Sequence, residues 1–334
     1  MICPVERDLH VLKYFSSVIT ISEGQVINVT DPSLRSCPLA RHFYPEFKDA
    51  DPEDVESLRN AVRRIIESKI RNYGFFTNDR SFHFPQGAVP YGASEMLAVS
   101  LKNRFIETAV VVCDGAGTVI TGSPETVQGI GARMNTLIFT SPVKEILEKL
   151  NEAGCHIVFK DNAWIDQVKG VEKAISLGCK KIGVTVPGFA AEQLEQIRLL
   201  GKEAGVSMVI LAVCTTGISA NKIEMIRQYA DLAWACASGE VRKQLGSIAR
   251  LQLSKQIPVY ALTERGVAFA ASYLDDPSLV RHFDSTKQYL LSSEPGGWPV
   301  CSGSLQGYVR EAVLPLEARK TSLHNSNKNE RVLA

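Results

Sequence analysis

The sequence lacks the short motifs that most directly indicate a function. Its 334 residues contain no Cys-x-x-Cys pair, which excludes a zinc ribbon and a thioredoxin-type redox motif. No Gly-x-Gly-x-x-Gly follows a predicted strand and no Gly-x-x-x-x-Gly-Lys-Ser/Thr is present, so neither common nucleotide-binding loop occurs. The longest apolar run, near Val209 to Val213, is far shorter than the ~20 residues that span a bilayer. Any site must therefore be assembled from residues that are distant in the sequence.

An excess of charge of either sign is also absent. The chain has 37 basic and 36 acidic residues, a net charge of +1 and no basic stripe, so we predict no nucleic-acid partner. The N-terminal segment MICPVERDLH carries charges where a signal peptide would be apolar. The 8 cysteines are dispersed through a chain long enough to fold without disulfides. We therefore expect a cytoplasmic protein with reduced thiols and no membrane partner.

The hydrophobic pattern from residue 106 to 275 alternates between strands and helices. Near-continuous apolar strands separated by helix-sized segments are typical of a parallel sheet that is covered on both faces. We therefore predict an α/β fold with a doubly wound, mostly parallel sheet of Rossmann-like type, and an incomplete βα barrel is the alternative. The predicted strands are 108–113, 136–140, 155–160, 181–186, 207–213, 231–236 and 257–262. The predicted helices between them are 142–152, 164–177, 190–204, 219–230, 240–256 and 264–274.

The two ends of the chain have different patterns. Residues 1–105 predict a smaller N-terminal α+β part, in which Asp51 caps a helix that begins with Pro52. Its predicted elements are a β-hairpin at 9–30, a helix at 52–71 and a long loop at 72–93. Residues 276–334 predict a loop-rich C-terminal extension that ends in a polar, disordered tail.

The stretch from Ala109 to Pro142 is the clearest candidate for a site. It places Cys113 and Asp114 at the end of a predicted buried strand, directly before Gly115-Ala116-Gly117. A thiol beside a carboxylate can act as a nucleophile with a base, so both are candidate catalytic residues. Asp166, at the start of a predicted helix, is a third candidate. The helix dipole also favours an acid there without any function, and that alternative stays open.

Three cysteines are predicted at one edge of the sheet, where the strands have their carboxyl ends and where α/β sheets bind ligands. These are Cys113, Cys214 and Cys236, and Cys37 lies in a Cys-Pro loop of the N-terminal part. Thiolates bind iron–sulfur clusters, zinc and copper(I), so the four residues are candidate ligands of an iron–sulfur cluster or another thiolate-bound metal. Cysteine is also a common small core residue, which is the alternative interpretation of each.

Glycine-rich turns indicate a different kind of site. Backbone N–H groups at turns and helix starts bind anions, and neighbouring hydroxyl groups and an arginine add further donors. A small anionic or nucleotide-like ligand is therefore the alternative to a metal. Ordinary turn geometry accounts for the same glycines equally well. The candidate residues are Gly115, Gly117, Gly129, Gly131, Arg133, Thr216, Gly217 and Ser238.

Several segments resemble the methanogenesis marker protein 8 family. They are Cys37-Pro38-Leu39, YGASE from Tyr91, VCDGAGTVI from Val112, VQGIGAR from Val127, TSPVKEI from Thr140, AWIDQVKGVEKA from Ala163, KKIGVTV from Lys180 and ADLAWACAS from Ala230. The resemblance implies an accessory role around methyl-coenzyme M reductase rather than a defined activity. It places Cys37, Cys113 and Cys236 within family-like motifs, and it implies a histidine near the position of Cys214 in archaeal members.

Three functional hypotheses follow. The leading one is a cytoplasmic protein that binds a metal or an iron–sulfur cluster at the strand ends, in an accessory or redox role. The second is an enzyme that acts on a small anionic or nucleotide-like ligand. The third is a non-catalytic partner in a larger assembly, which is either a homo-oligomer or a complex with other proteins.

Overall fold

The structure, a computed structural model, describes residues 8–37, 40, 44–84, 89–302 and 305–316. Of the Cys37-Pro38-Leu39 segment it describes only Cys37, and the predicted disordered tail at 319–334 lies outside the described residues. The strands in these ranges are β1 (His10–Tyr14), β2 (Ser17–Ser22), β3 (Gln25–Val29), β4 (Thr108–Cys113), β5 (Gly117–Thr121), β6 (Thr136–Thr140), β7 (His156–Ile157), β8 (Lys181–Pro187), β9 (Ser207–Val213), β10 (Leu232–Trp234), β11 (Leu251–Leu253), β12 (Val259–Ala261), β13 (Tyr289–Ser292), β14 (Trp298–Ser302) and β15 (Leu305–Glu311).

The α-helices in the same ranges alternate with these strands. They are α1 (Val55–Tyr73), α2 (Ala93–Lys102), α3 (Pro124–Gly131), α4 (Lys144–Glu152), α5 (Gln167–Ser176), α6 (Gln193–Glu203), α7 (Ala220–Tyr229), α8 (Gly239–Gly246) and α9 (Glu264–Tyr273). Short 3₁₀ turns occur at Pro45–Phe47, Gly188–Ala190 and Pro277–His282. Among the described residues, no helix combines the length and the apolar composition that a membrane span requires.

A small lobe is formed by an antiparallel sheet in the order β3-β2-β1-β6, with α1 packed on one face. Side chains alternate in burial along β2, and the inward-facing Ile19 and Ile21 join a core with apolar residues of α1. The helix begins after Asp54, whose side chain accepts a hydrogen bond from the Glu56 backbone N–H. The predicted cap at Asp51 was therefore wrong by three residues, and Asp54 satisfies one of the free N–H groups of the first turn.

The predicted hairpin at 9–30 is a three-stranded meander. Phe15 and Ser16 have φ values of 51° and 65°, and this tight turn divides the predicted first strand into β1 and β2. The fourth strand of the small lobe, β6, was predicted in the main sheet. It instead runs antiparallel to β1, with Phe139 opposite Val11 and Leu137 opposite Leu12. The chain therefore crosses from the large sheet to the small lobe within the Ala109 to Pro142 stretch, and it returns to the large sheet at β7.

The large sheet has 11 strands in the order β14-β15-β13-β11-β12-β10-β9-β8-β4-β5-β7. Its centre, β10-β9-β8-β4, is parallel. Six of the ten neighbouring pairs are antiparallel and four are parallel. The predicted doubly wound, mostly parallel sheet was therefore wrong. The barrel alternative was wrong as well, because the sheet is open and its edges, β14 and β7, do not pair with each other.

Local turns explain why the parallel pattern breaks. β4 turns directly back into β5, because Gly115 and Gly117 both have a φ of 69° and allow a tight hairpin instead of a crossover. On the other side, the predicted helix at 240–256 ends at Gly246, and the chain continues as β11 antiparallel to β12. Three strands beyond residue 288, which the sequence analysis missed, extend the sheet further.

The large sheet has a hydrophobic core on each face, and α5, α6, α7 and α8 contribute to one of them. The other core includes α2, α3, α4 and α9. The small lobe has its own core, built from β1, β2, β3 and α1. The carboxyl ends of the parallel strands face the small lobe, and a cavity lies where these parts meet.

Candidate functional site

The cavity between the small lobe and the large sheet, named here the interlobe cavity, has a volume of about 280 Å³. Its lining comes from the carboxyl ends of β4, β8, β9 and β10, from the start of α2, from the end of α3 and from the small lobe. Most lining side chains are apolar, among them Leu97, Val111, Ile130 and Trp234. The cavity thus lies where ligands of parallel sheets bind.

Three residues of the lining have left-handed backbone conformations that are costly for side chains other than glycine. Arg133 has a φ of 61°, Cys214 a φ of 55° and Cys236 a φ of 32°. Arg133 directly follows the end of α3, and the two cysteines follow β9 and β10. Such strain costs on the order of 1–3 kcal/mol per residue and is concentrated at functional sites. Its occurrence three times around one cavity therefore marks this cavity as the candidate site.

Lys69 is the most unusual side chain of the cavity. It lies on α1 and is only 5% exposed. Its Nζ donates hydrogen bonds to the Arg133 backbone oxygen at 2.8 Å and to Asn135 Oδ1 at 2.6 Å. Both acceptors are uncharged. Burial, and secondarily the positive charge of Arg133, lower the pKa of Lys69 to about 7.

Two tyrosines enclose the Lys69 amine. Nζ lies 5.0 Å from the ring centroid of Tyr14 and 5.1 Å from that of Tyr44, and both rings line the cavity. Burial is the main reason that the pKa of Tyr14 is raised well above its usual value and that of Tyr44 to about 12. The Tyr14 hydroxyl oxygen is buried and has no hydrogen-bond partner among the described residues. A buried hydroxyl without a hydrogen-bond partner is unusual in proteins and needs an explanation.

Arg133 provides a permanent positive charge at the same end of the cavity. Its guanidinium lies 5.4 Å from the ring centroid of Tyr73 and hydrogen-bonds to Tyr44. Within the described ranges, neither Arg133 nor Lys69 forms an ion pair with a carboxylate. The one acidic residue of the lining, Glu95, instead binds the Val89 backbone N–H and the Gln128 amide, each at 3.2 Å. One end of an otherwise apolar cavity is therefore cationic.

Two of the four predicted metal-binding cysteines meet at the cavity. Cys214 and Cys236 line the cavity, and the pKa of Cys236 is raised mainly by burial and additionally by Cys214 and Cys37. Burial also raises the pKa of Cys214, although Lys13 and the Thr136 hydroxyl act in the opposite direction. Over the part of the chain that is described, no three His, Cys, Asp or Glu side chains are arranged to hold a metal ion. The metal site stays a prediction.

Cys113 and Asp114, the predicted catalytic pair, lie outside the cavity lining. Asp114 is fully buried and its two carboxylate oxygens accept from Arg80 Nε at 3.0 and 3.1 Å. It also accepts a hydrogen bond from the Phe76 backbone N–H at 2.8 Å. The Cys113 thiol is buried, and burial followed by Asp114 raises its pKa well above the usual value. These contacts favour a structural role, and catalysis by this pair stays a prediction.

The remaining predicted residues have local roles. Asp166 and Ser238 cap α5 and α8 by accepting backbone N–H bonds from Lys169 and Val241. Gly117 and Gly129 lie against the backbone of Ala163 and Phe82, where a Cβ would collide. Gly115 packs on α4, and Thr216 and Gly217 form the turn after Cys214. Of the predicted anion-binding set, only Gly131 and Arg133 line the interlobe cavity.

The sequence analysis missed Lys69, Tyr14 and Tyr44. A signal for Lys69 is present, because it follows Val62 and Ile66 on the apolar stripe of α1, where a lysine is unexpected. No comparable signal exists for the tyrosines. Their positions depend on how the small lobe packs against the strand ends.

Comparisons with known proteins agree on one family. A family model described as "Uncharacterized protein conserved in archaea (DUF2099)" matches residues 10–274. The chain is 36% identical over 261 residues to the uncharacterized protein MJ0054 of Methanocaldococcus jannaschii, which covers 78% of this chain and 88% of that protein. No solved structure matches the chain. The matched range contains all the residues that line the interlobe cavity.

Proposed function

The chain belongs to this family conserved in archaea, and we propose that its interlobe cavity binds a small organic anion with an apolar body. The observation that carries the proposal is the cationic end of the cavity. Arg133 and Lys69 share that end, and neither has a carboxylate partner in the described part of the chain. Arg133 is half-buried, and Lys69, with a pKa of about 7, is partly charged at neutral pH, so this end of the cavity favours an anion from outside.

The rest of the lining limits the ligand further. The strand ends and α2 present mainly apolar side chains, which bury a hydrocarbon chain but do not satisfy several polar groups. A volume of about 280 Å³ lies at the lower end of the range of ordinary ligand pockets, which favours a small molecule. The preferred ligand class is therefore a short-chain carboxylate. In this proposal the main anion-binding group is Arg133 and not the glycine turns.

Calorimetric titration with hexanoate tests the proposal. Wild-type protein is expected to bind hexanoate and to bind hexan-1-ol much more weakly, because only the carboxylate reaches the cationic end. Arg133→Met is expected to weaken hexanoate binding by about ten-fold or more, since it removes a charge-assisted hydrogen bond. Arg104→Met is the matched control, because Arg104 is an exposed arginine with a similar φ of 58° outside the lining.

Two results contradict the proposal. One is equal affinity for hexanoate and hexan-1-ol, which means that no charged group takes part. The other is unchanged hexanoate binding in Arg133→Met with the control behaving like wild type.

A thiolate-bound metal or iron–sulfur cluster is the second candidate function. It is supported by the position of Cys214 and Cys236, which both line the interlobe cavity. The test is the iron, zinc and acid-labile sulfide content of protein purified without oxygen. Cys236→Ser is expected to lose bound metal, whereas Cys179→Ser, at the opposite edge of the sheet, is expected to retain it. Equal metal content in both variants contradicts this candidate.

The biological setting is proposed on the resemblance to the methanogenesis marker protein 8 family. Its segments from Tyr91 to Ser238 fall inside the family match and include cavity residues such as Arg133 and Cys236. An accessory protein of the cytoplasm that binds a small ligand, alone or with a protein partner, fits that resemblance.

A further inference from the structure

We infer that the interlobe cavity takes 2-oxo acids, with Lys69 Nζ forming an imine at the carbonyl carbon while the Arg133 guanidinium binds the adjacent carboxylate. This inference rests on the proposed binding of an organic anion and adds a covalent step to it. It depends on the hydrogen bonds of Lys69, on the aromatic rings around it and on the free hydroxyl of Tyr14.

The hydrogen bonds of Lys69 suit a neutral amine. Nζ has two acceptors, the Arg133 backbone oxygen and Asn135 Oδ1, and a neutral amine has two N–H groups to donate. The lone pair then stays available for attack on a carbonyl carbon. The pKa of Lys69, lowered to about 7 by burial, leaves a substantial neutral fraction at neutral pH. Desolvated lysines beside a second cation are a known means of producing nucleophilic amines.

The rings of Tyr14 and Tyr44 suit the product. A protonated imine keeps a positive charge on Nζ, which lies 5.0 and 5.1 Å from the two ring centroids. Aromatic faces attract cations at such distances, more strongly where water is excluded. The charge of the imine is therefore stabilised without any carboxylate.

The proton balance of the step assigns a role to Tyr14. The Nζ lone pair forms a bond to the carbonyl carbon, and the C=O π electrons move to the oxygen, which takes up a proton. Nζ gives up one of its two protons, the oxygen takes up a second proton from another donor, the C–O bond breaks and water leaves. A neutral amine, a ketone and one proton thus give a protonated imine and water with no oxidant or reductant. The Tyr14 hydroxyl, which has no hydrogen-bond partner among the described residues, can donate that second proton to the departing oxygen and is then reprotonated from solvent.

Arg133 and the apolar lining explain why the substrate would be a 2-oxo acid rather than a simple ketone. The carboxylate of such an acid is attached to the reacting carbon, and Arg133 belongs to the same end of the cavity as Lys69, whose amine contacts the Arg133 backbone. A planar guanidinium binds a carboxylate through two parallel hydrogen bonds and thereby orients the adjacent carbonyl. The alkyl chain then extends toward the apolar strand ends.

Reductive trapping tests the inference. Full-length protein is incubated with 2-oxohexanoate and sodium cyanoborohydride, and the labelled lysine is identified by peptide mass spectrometry. Lys69 is expected to be labelled at least about ten-fold more than Lys144, whose amine is exposed at the surface and lies outside the cavity lining. Lys69→Arg, which keeps a cation, is expected to lose this labelling, and thermal unfolding of the variant verifies that it is folded.

Hexanoate, which lacks the carbonyl, separates this inference from the proposed function. If hexanoate binds and 2-oxohexanoate labels Lys69 no more than Lys144, the imine is wrong and anion binding stands. If neither compound binds, both proposals are wrong. Preferential labelling of Lys69 that excess hexanoate prevents supports both.

Discussion

Arg80 and Lys69 are both buried basic residues, yet their surroundings differ in one decisive respect. Arg80 pairs with Asp114 and donates to the backbone oxygens of Ser81, Gly129 and Ile130. Lys69 has only uncharged acceptors. A buried cation with a carboxylate partner and several acceptors holds the fold together, because its charge and its N–H groups are satisfied. A buried cation without such a partner is costly for the protein alone and indicates a ligand.

Arg80 also holds the backbone that leads to the cavity. Arg80 binds the end of α3, two residues before Gly131, and so fixes the segment that leads to Arg133. The turn around Cys113 and Asp114 therefore supports the cavity through Arg80, which connects Asp114 to the end of α3. The proposed ligand site is the interlobe cavity, at the ends of β8, β9 and β10.

The largest effect on stability is expected from substitution of Asp114. Asp114→Asn keeps the shape of the side chain but leaves Arg80 buried without a countercharge, so the free energy of unfolding is expected to fall by about 3–5 kcal/mol. Urea denaturation measures it. Asp31→Asn, which breaks the exposed pair with Arg59, is the control and is expected to cost less than about 1 kcal/mol. Similar small losses in both variants would remove the distinction between Arg80 and Lys69.

Substitution of Gly117 tests whether the turn between β4 and β5 has a structural role. Gly117→Ala is expected to lower the free energy of unfolding by about 2 kcal/mol or more, because the φ of 69° disfavours alanine and its Cβ would collide with the Ala163 backbone. Gly154→Ala is the matched control, with a φ of 73° and open space around the new Cβ. It should cost only about 1 kcal/mol for the backbone conformation. Equal losses would mean that the close packing at Gly117 contributes nothing.

The lowered pKa of Lys69 makes the free energy of unfolding depend on pH. Its pKa is about 7 in the folded protein and about 10.4 when unfolded, so the unfolded state binds more protons between these values. Stability is therefore lowest below pH 7 and rises as pH increases, by about 2 kcal/mol between pH 6 and pH 8.5. The difference between wild type and Lys69→Met isolates this rise, because burial raises the pKa values of Tyr14 and Tyr44, the two titratable rings that face Nζ, above that range. A difference independent of pH would show that Lys69 stays fully charged.

The smallest expected effect concerns Asp166. Asp166→Ala removes the cap of α5 and should reduce stability by about 1 kcal/mol, without changing hexanoate affinity. Asp161→Ala, at an exposed position nearby, should change neither quantity. Loss of ligand binding in Asp166→Ala alone would return this residue to the candidate site.

Local elements were largely predictable from the sequence. The apolar runs of β4, β8 and β9 and the periodic stripe of α1 specify their own secondary structure. The direction of pairing was not predictable in the same way. The glycines at 115 and 117 permit a tight hairpin without requiring one, and the departure of β6 to the small lobe is a long-range choice, decided by which sheet offers the better partner.

The candidate site was predictable only in part. Arg133, Gly131, Cys214 and Cys236 were selected from the sequence and line the cavity, because strand ends and helix ends can be located from local patterns. Lys69 and the two tyrosines come from the small lobe, which meets those ends only in the folded molecule. A lysine within the apolar stripe of a helix is the signal that would have found Lys69.

The most direct test of the account is the crystal structure of the protein with 6-bromohexanoate, whose bromine can be located by anomalous scattering. The account predicts that the carboxylate lies within hydrogen-bond distance of the Arg133 guanidinium, and that the bromine lies among the apolar strand ends. A ligand bound outside the interlobe cavity, or one with its carboxylate turned toward Glu95 and away from Arg133, would contradict it.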